Sequence, residues 1–281
     1  MLKNNFLEVA KKISVIENNH SKAKEIIDGL PEKSYFVVGI TGSPGVGKSS
    51  LTNIIAMKFL EKGKTAVLAI DPSSPFTGGA FLGDRIRMKD SASKGVFIRS
   101  LASRGSVGGL NPSIYDTVEF LGRSGFEYII LETVGTGQAE TDIKNIADVI
   151  VLVLSPGNGD EIQSMKAGIM EIGDIYVVNK MDLPGAKSLY AKVKSILELS
   201  NKNNEVLLTG MAYKETIYDL FDKINIELGK KTHRNSVKNK REINRLLNVV
   251  LKEINDNCLN CESLEIIYKF IREDLNEGKK S

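Results

Sequence analysis

The chain reads Gly42-Ser43-Pro44-Gly45-Val46-Gly47-Lys48-Ser49 directly after an apolar run at residues 35–40. This octet fits the phosphate-binding pattern G-x-x-x-x-G-K-[ST], and the apolar run before it is typical of a buried strand. Its glycines allow backbone N–H groups to converge on phosphates, while Lys48 reaches the β and γ oxygens and the Ser49 hydroxyl ligates magnesium. A helical pattern begins at Ser50, so its N-terminus also faces the phosphates. We therefore predict that the chain binds a nucleoside triphosphate with Mg²⁺.

A second motif indicates which base is bound. Asn179-Lys180-Met181-Asp182 follows an apolar run and resembles the guanine-recognition pattern N-K-x-D. The Asp182 carboxylate can accept from guanine N1–H and from the exocyclic amine, neither of which adenine offers in that position. Downstream, Thr209-Gly210-Met211-Ala212 stands where a loop is expected to donate a backbone N–H to guanine O6. We therefore predict GTP and GDP as ligands, with Gly210, Met211 and Ala212 at the base.

Three acidic residues follow two other apolar runs, at 65–70 and 128–131. Asp71 ends one run, Asp84 lies in the Gly-rich loop beyond it, and Glu132-Thr133-Val134-Gly135 stands where a magnesium-coordinating D-x-x-G motif is expected. Such acids meet the phosphates at the carboxyl edge of a parallel sheet, where they could hold magnesium or its waters. Asp71 and Asp84 could instead be turn or helix caps. The candidate catalytic residues are Lys48, Asp71, Asp84 and Glu132; the candidate metal ligands are Ser49, Asp71, Asp84 and Glu132; and Gly135 would order around a γ-phosphate.

The overall pattern predicts an α/β fold. Apolar runs separated by helical stretches indicate a mostly parallel sheet covered by helices on both faces, as in P-loop NTPases; the runs are 35–40, 65–70, 96–100, 128–131, 149–154, 175–178 and 206–208. We divide the chain into an N-terminal helical extension (1–33), a GTP-binding domain (34–228) and a C-terminal helical tail (229–281). The tail would start at a polar hinge and pack on the domain or on another chain, as a dimerisation arm.

Composition excludes several classes of partner. The 38 basic and 35 acidic residues leave a net charge of +3, which is too small to favour nucleic acid or a membrane surface. Residues 1–10 lack the apolar centre of a signal peptide, and no apolar run approaches the roughly 20 residues of a membrane span. We therefore expect a cytoplasmic protein. The cysteines, Cys258 and Cys261, form a lone C-x-x-C, which is a weak metal signal.

Longer strings resemble one family. They are Asp71-Pro72-Ser73-Ser74-Pro75-Phe76-Thr77-Gly78-Gly79, Leu82-Gly83-Asp84-Arg85-Ile86-Arg87-Met88 and Glu132-Thr133-Val134-Gly135-Thr136-Gly137-Gln138-Ala139-Glu140. Together they resemble the cofactor- and metal-chaperone P-loop GTPases, and within them the methylmalonyl-CoA-mutase-associated GTPases of the MeaB/ArgK type. The resemblance implies a GTP-hydrolysing chaperone of an adenosylcobalamin-dependent acyl-CoA mutase that gates cofactor loading, protection or reactivation. It also implies a homodimer and a role for Asp71, Asp84 and Glu132 in organising Mg²⁺ and the switch loops.

Two other functions stay open. A nickel-type metallochaperone of the same group would carry metal-binding Cys and His residues near the nucleotide, whereas this sequence has no cysteine before residue 258. A kinase of periplasmic amino-acid transport proteins would need an acceptor site and a catalytic base, for which no separate motif is found. Thr136 stands where Ras-like GTPases carry the water-orienting glutamine, with Gln138 two residues later, so we expect slow intrinsic hydrolysis.

Overall fold

The computed structural model describes residues 2–71, 89–102, 112–133, 143–157, 169–200 and 204–231. These ranges contain seven α-helices and seven strands, with short 3₁₀ turns at Ile143–Asn145 and Ile169–Glu171. In chain order the elements are α1 (Leu2–Asn18), α2 (His20–Asp28), β1 (Phe36–Thr41), α3 (Lys48–Leu60), β2 (Thr65–Asp71), α4 (Lys89–Lys94), β3 (Phe97–Ala102), α5 (Pro112–Arg123), β4 (Tyr128–Thr133), β5 (Val149–Leu154), β6 (Ile175–Val178), α6 (Ala186–Leu199), β7 (Glu205–Leu208) and α7 (Lys214–Lys231).

The described strands form one seven-stranded sheet in the order β3-β2-β4-β1-β5-β6-β7. Every neighbouring pair is parallel. Strand β1 lies in the middle, with Ile40 opposite Glu132 of β4 on one side and opposite Val151 of β5 on the other. The predicted α/β fold and its strands are therefore confirmed. Because all strands run the same way, the residues that follow β1, β4 and β6 meet at one edge of the sheet.

Helical layers on both faces explain why the strand runs are continuously apolar. Along β5, Val151 and Val153 face the hydrophobic cluster that contains α3 and α7, whereas Leu152 and Leu154 face the cluster of α6. All six residues of β5 are buried. Successive side chains of a strand point to opposite faces, so every side chain of a strand that is covered on both sides is buried and apolar residues are favoured at each position.

The N-terminal helices pack on the sheet. A hairpin of α1 and α2 breaks at Asn19, whose side chain accepts a hydrogen bond from the Lys22 backbone N–H at 3.0 Å and so caps α2. Ile13 and Ile27 are completely buried in the same cluster as residues of α5, β3 and β4. The N-terminal extension therefore contributes to the core on this face.

Helix α7 differs from the expected pattern at its C-terminal end. It continues through Gly229 to Lys231, where the sequence suggested a break after Leu228. Leu228 is 3% exposed, and this packing holds the last turns of the helix against the cost of a glycine. Residues 232–281, which form most of the predicted tail, lie outside the described residues. Within the part of the chain that the structure describes, no helix combines the length and the apolar character needed to cross a membrane.

Candidate nucleotide-binding site

The loop between β1 and α3 adopts a conformation that requires glycine. Gly42, Gly45 and Gly47 have φ angles of 139°, 80° and 97°, a region that other residues rarely adopt. Gly42 is also confined in space, since a Cβ there would lie 2.0 Å from the carbonyl oxygen of Val153 in β5. The chain can therefore turn sharply from the central strand into the helix, with its backbone close to the neighbouring strand.

Lys48 is the first residue of α3, and its side chain folds back over this loop. The ammonium group donates to the carbonyl oxygens of Gly42 at 2.6 Å and Ser43 at 2.9 Å, and the residue is only 6% exposed. A buried cation therefore lies beside the N-terminus of α3, where backbone N–H groups lack helical partners. Both features attract anions, which fits a site for the β- and γ-phosphates.

Ser49 and Glu132 are brought together from α3 and β4. The Ser49 hydroxyl donates to Glu132 Oε1 at 2.5 Å, and Glu132 is 6% exposed. A hydroxyl and a carboxylate oxygen beside a phosphate-binding loop are the ligands that Mg²⁺ prefers, so these two residues fit the predicted metal. The structure thus unites two of the four candidate metal ligands.

The other candidate acids are only partly placed. Asp71 is the last residue of β2, opposite Ala102 of β3, so it lies at the same edge of the sheet as Glu132. Asp84 and Gly135 lie outside the described residues. The roles of Asp71 and Asp84 at the metal and of Gly135 at the γ-phosphate stay predictions.

One contact at this edge was missed by the sequence reasoning. Thr133 donates from its hydroxyl to the Thr41 hydroxyl at 2.8 Å, and the two residues are 1% and 0% exposed. Thr41 ends β1 and Thr133 ends β4. No local pattern marks such a pair, because the contact depends on which strands are neighbours and in which register.

The guanine motif is bonded directly to the phosphate-binding loop. Asn179 donates from Nδ2 to the carbonyl of Val46 at 2.9 Å and accepts from the Thr209 hydroxyl at 3.0 Å. Lys180 donates from Nζ to the carbonyl of Gly45 at 2.7 Å, and its φ of 59° lies in the left-handed region. The motif therefore reaches the loop through two side chains, which fix the position of one segment relative to the other.

Asp182 lies next to the loop that follows β7. A Cβ at Gly210 would stand 3.6 Å from Asp182 Oδ1 and 2.9 Å from Met181 Cγ, so the two segments are in close contact. The Gly210 N–H donates to the Thr216 hydroxyl at 3.3 Å and is engaged within the chain. Met211 and Ala212 are exposed in the same loop, and their N–H groups are the better candidates for guanine O6.

Comparison with known proteins assigns the family. A sequence model described as "Methylmalonyl Co-A mutase-associated GTPase MeaB" matches residues 9–263. The chain belongs to this family. MeaB-family proteins are GTPases, which agrees with the phosphate-binding loop and the N-K-x-D motif described above. The chain is accordingly a GTPase.

The chain is similar in sequence to several known proteins. A protein from Pyrococcus abyssi is 46% identical over 226 residues, which cover 76% of this chain and 70% of that protein. The Escherichia coli GTPase ArgK is 35% identical over 182 residues, or 62% of this chain and 55% of ArgK. The Caenorhabditis elegans mitochondrial "methylmalonic aciduria type A homolog" is 39% identical over 193 residues, or 62% of this chain and 48% of that protein. The match thus spans only about half the length of the last two relatives.

Solved structures extend the likeness of fold. A "LAO/AO transport system kinase" superposes with a TM-score of 0.62 at 20% identity, over 94% of this chain and 92% of that one. HypB from Helicobacter pylori, solved with nickel, gives a TM-score of 0.53 at 14% identity, over 81% and 98%. At such identities the likeness shows a shared fold and carries neither kinase activity nor nickel binding to this chain.

Proposed function

We propose that this MeaB-family GTPase binds an adenosylcobalamin-dependent acyl-CoA mutase of the methylmalonyl-CoA mutase type and gates the loading, protection or reactivation of its cofactor. The observation that carries the proposal is the family match over residues 9–263, because that family is named for its association with methylmalonyl-CoA mutase. The name of the nematode relative points to the same metabolism. In this proposal the cofactor belongs to the mutase, and the GTPase contributes the nucleotide-dependent step.

The site supports a Mg²⁺-dependent guanine nucleotide as the controlling ligand. Lys48 and the N–H groups at the start of α3 would hold the phosphates, while Ser49 and Glu132, joined by Asp71 and Asp84, would hold the metal. A bound Mg²⁺ would neutralise charge on the β- and γ-phosphates. Asp182 would select guanine.

Glu132 is also positioned to transmit the state of the nucleotide. It is bonded to Ser49 beside the phosphates and lies two residues before Val134, which opens the Val134-Gly135-Thr136-Gly137 segment. Because this segment follows β4 directly in the chain, it is our candidate for the part of the protein that responds to the nucleotide. We propose that the partner mutase reads the arrangement of this segment, so that its affinity differs between the GTP and GDP states.

We also propose a homodimer that uses the C-terminal residues. Because α7 continues to Lys231, a truncation after Lys231 leaves the described helix whole. Light scattering of the full chain against this truncation tests the proposal. The expected result is a dimer for the full chain and a monomer for the truncation, and a monomeric full chain would contradict it.

The partner is tested by co-purification with a purified adenosylcobalamin-dependent mutase, with either GDP or a non-hydrolysable GTP analogue present. We expect retention of the mutase to differ at least about tenfold between the two nucleotides, as a coupling of about 1.4 kcal/mol would give. Asp182→Asn supplies the control, because its nucleotide preference should change from guanine to xanthine while the rest of the surface is preserved. Equal retention of the mutase with the two nucleotides would reject the proposed function, and so would no retention with either of them.

A further inference from the structure

Strand β4 contacts both ends of the phosphate-binding loop through consecutive residues. Glu132 accepts over 2.5 Å from Ser49, which is the second residue of α3, just beyond the loop. Thr133 donates to Thr41, which lies immediately before the loop, over 2.8 Å. The loop is therefore held between two hydrogen bonds that begin from neighbouring positions on one strand.

The register of the sheet explains this arrangement. Ile40 of β1 lies opposite Glu132 of β4, so the next pair along the strands is Thr41 and Thr133. Side chains alternate between the faces of a sheet, and Glu132 and Thr133 therefore project to opposite faces. Glu132 projects toward α3, where Ser49 lies, while the Thr133 hydroxyl meets that of Thr41 on the other face.

We propose that Thr41 and Thr133 form a positioning pair for GTP hydrolysis. Their hydrogen bond holds the C-terminal end of β4 in the position in which Glu132 contacts Ser49. Both threonines are almost completely buried, so their hydrogen bond is sheltered from water. Threonine is branched at Cβ and has few side-chain rotamers, which makes the link stiff. The inference rests on nucleotide binding at this site and is independent of which partner the protein serves.

A pair that only fills space between β1 and β4 would behave differently on mutation. Replacing one threonine by valine leaves the other buried hydroxyl without its partner, which lowers stability in either case. Replacing both by valine removes the hydroxyls together and keeps the branched shape, which can be nearly neutral for stability. The double variant Thr41→Val/Thr133→Val therefore separates a positioning role from a packing role.

The experiment compares GTP hydrolysis, GDP affinity with and without Mg²⁺, and urea unfolding for the full-length chain and its variants. We expect kcat of the double variant to fall about tenfold, with KM and the unfolding midpoint close to those of the wild type. Thr41→Ser, made alone in the wild-type chain, keeps the hydroxyl and should retain most of the wild-type kcat. Thr65→Val is the matched control: Thr65 is buried and donates to the Gly63 carbonyl at 3.0 Å, but it begins β2 at the opposite edge of the sheet.

A double variant with the kcat of the wild type would overturn the inference. An equal loss of kcat in Thr65→Val, or a low kcat in Thr41→Ser, would overturn it as well. These measurements need no mutase. If the mutase does not associate with the wild-type protein, the proposed function fails while the comparison of the threonine variants stands.

Discussion

The side-chain amide of Asn179 donates a hydrogen bond over 2.9 Å to the carbonyl of Val46, which is 133 residues earlier in the chain. Its oxygen accepts from the Thr209 hydroxyl, and a Cβ at Gly47 would lie 2.4 Å from its nitrogen. A residue that belongs to the base-recognition motif thus also supports the phosphate-binding loop. The close approach explains why Gly47 is needed at that point of the loop.

We expect Asn179→Ala to weaken GDP binding by at least about tenfold and to lower the free energy of unfolding by about 1–3 kcal/mol, because it leaves two buried groups without partners. Fluorescent-nucleotide titration and urea unfolding measure the two effects. Asn204→Ala is the matched control, since Asn204 bonds the carbonyls of Gly173 and Asp174 just before β6. It should lower stability and leave GDP affinity unchanged; equal losses of affinity would contradict the role of Asn179.

Asp182→Asn should exchange guanine for xanthine specificity. Xanthine carries an oxygen where guanine carries its exocyclic amine, so an asparagine can donate to that oxygen and still accept from N1–H. With GTP bound, the amide NH2 of the new asparagine would face the exocyclic amine of guanine, which then has no acceptor. We therefore expect the affinity for GTP to fall about a hundredfold or more. Competition of GDP and xanthosine diphosphate for a fluorescent nucleotide measures the change. An unchanged preference for guanine would remove Asp182 from the base site.

Ser49→Ala should abolish most of the dependence of nucleotide affinity on Mg²⁺. The variant loses the hydroxyl that contacts Glu132 at 2.5 Å and that we assign to the metal. We expect GDP affinity to fall about tenfold or more in Mg²⁺ and to change little in EDTA, because the contacts of Lys48 are retained. Ser49→Thr keeps the hydroxyl and is the control. Equal losses in both buffers would show that the hydroxyl acts on the loop itself.

Two glycines of the loop should respond very differently to alanine. Gly42→Ala combines a φ of 139° with a Cβ that would lie 2.0 Å from the Val153 carbonyl oxygen, so the backbone of two strands must shift. Gly45 has a φ of 80° but nothing within 4 Å of its Cβ, and Gly45→Ala should cost only the conformational term of about 1–2 kcal/mol. Urea unfolding should show a clearly larger loss for Gly42→Ala, and similar losses would contradict the close approach to β5.

Tyr176 should make the stability of the fold sensitive to alkaline pH. Burial, with the nearby Asp174 charge, raises the pKa of its phenol from 10.0 to about 12, and its hydroxyl donates to the Met170 carbonyl at 2.5 Å. The folded state thus holds the phenol proton more tightly than the unfolded chain. The contribution of Tyr176 is present in full below pH 10 and is lost as the pH rises toward 12.

Urea unfolding between pH 9 and pH 12 checks this expectation. Tyr176→Phe should be less stable at pH 9, because it lacks the hydrogen bond, but should show a shallower decline toward high pH. Tyr218→Phe, at a residue of α7 that is 41% exposed, is the control and should retain the wild-type slope. Parallel declines for Tyr176→Phe and the wild type would exclude Tyr176 as the titrating group.

Strand positions could be predicted closely because burial on both faces leaves a direct mark on composition. The expected run at 149–154 coincides with β5, and the run at 35–40 differs from β1 by one residue at each end. The sequence predicts that α7 ends at Leu228, because Gly229 lowers helix propensity locally. The helix continues to Lys231 because Leu228 packs against residues from outside the segment, which the local sequence does not show.

The sequence by itself determined the chemistry of the ligand. The octet at 42–49 and the motif Asn179-Lys180-Met181-Asp182 are contiguous, and their donors, acceptors and glycines specify phosphate and guanine without reference to the rest of the chain. Only the tertiary structure decided how these parts are held together. The contacts of Ser49 with Glu132, Thr41 with Thr133 and Asn179 with Val46 join residues 83, 92 and 133 positions apart. Such contacts depend on strand order and register, which are set by the packing of the whole sheet.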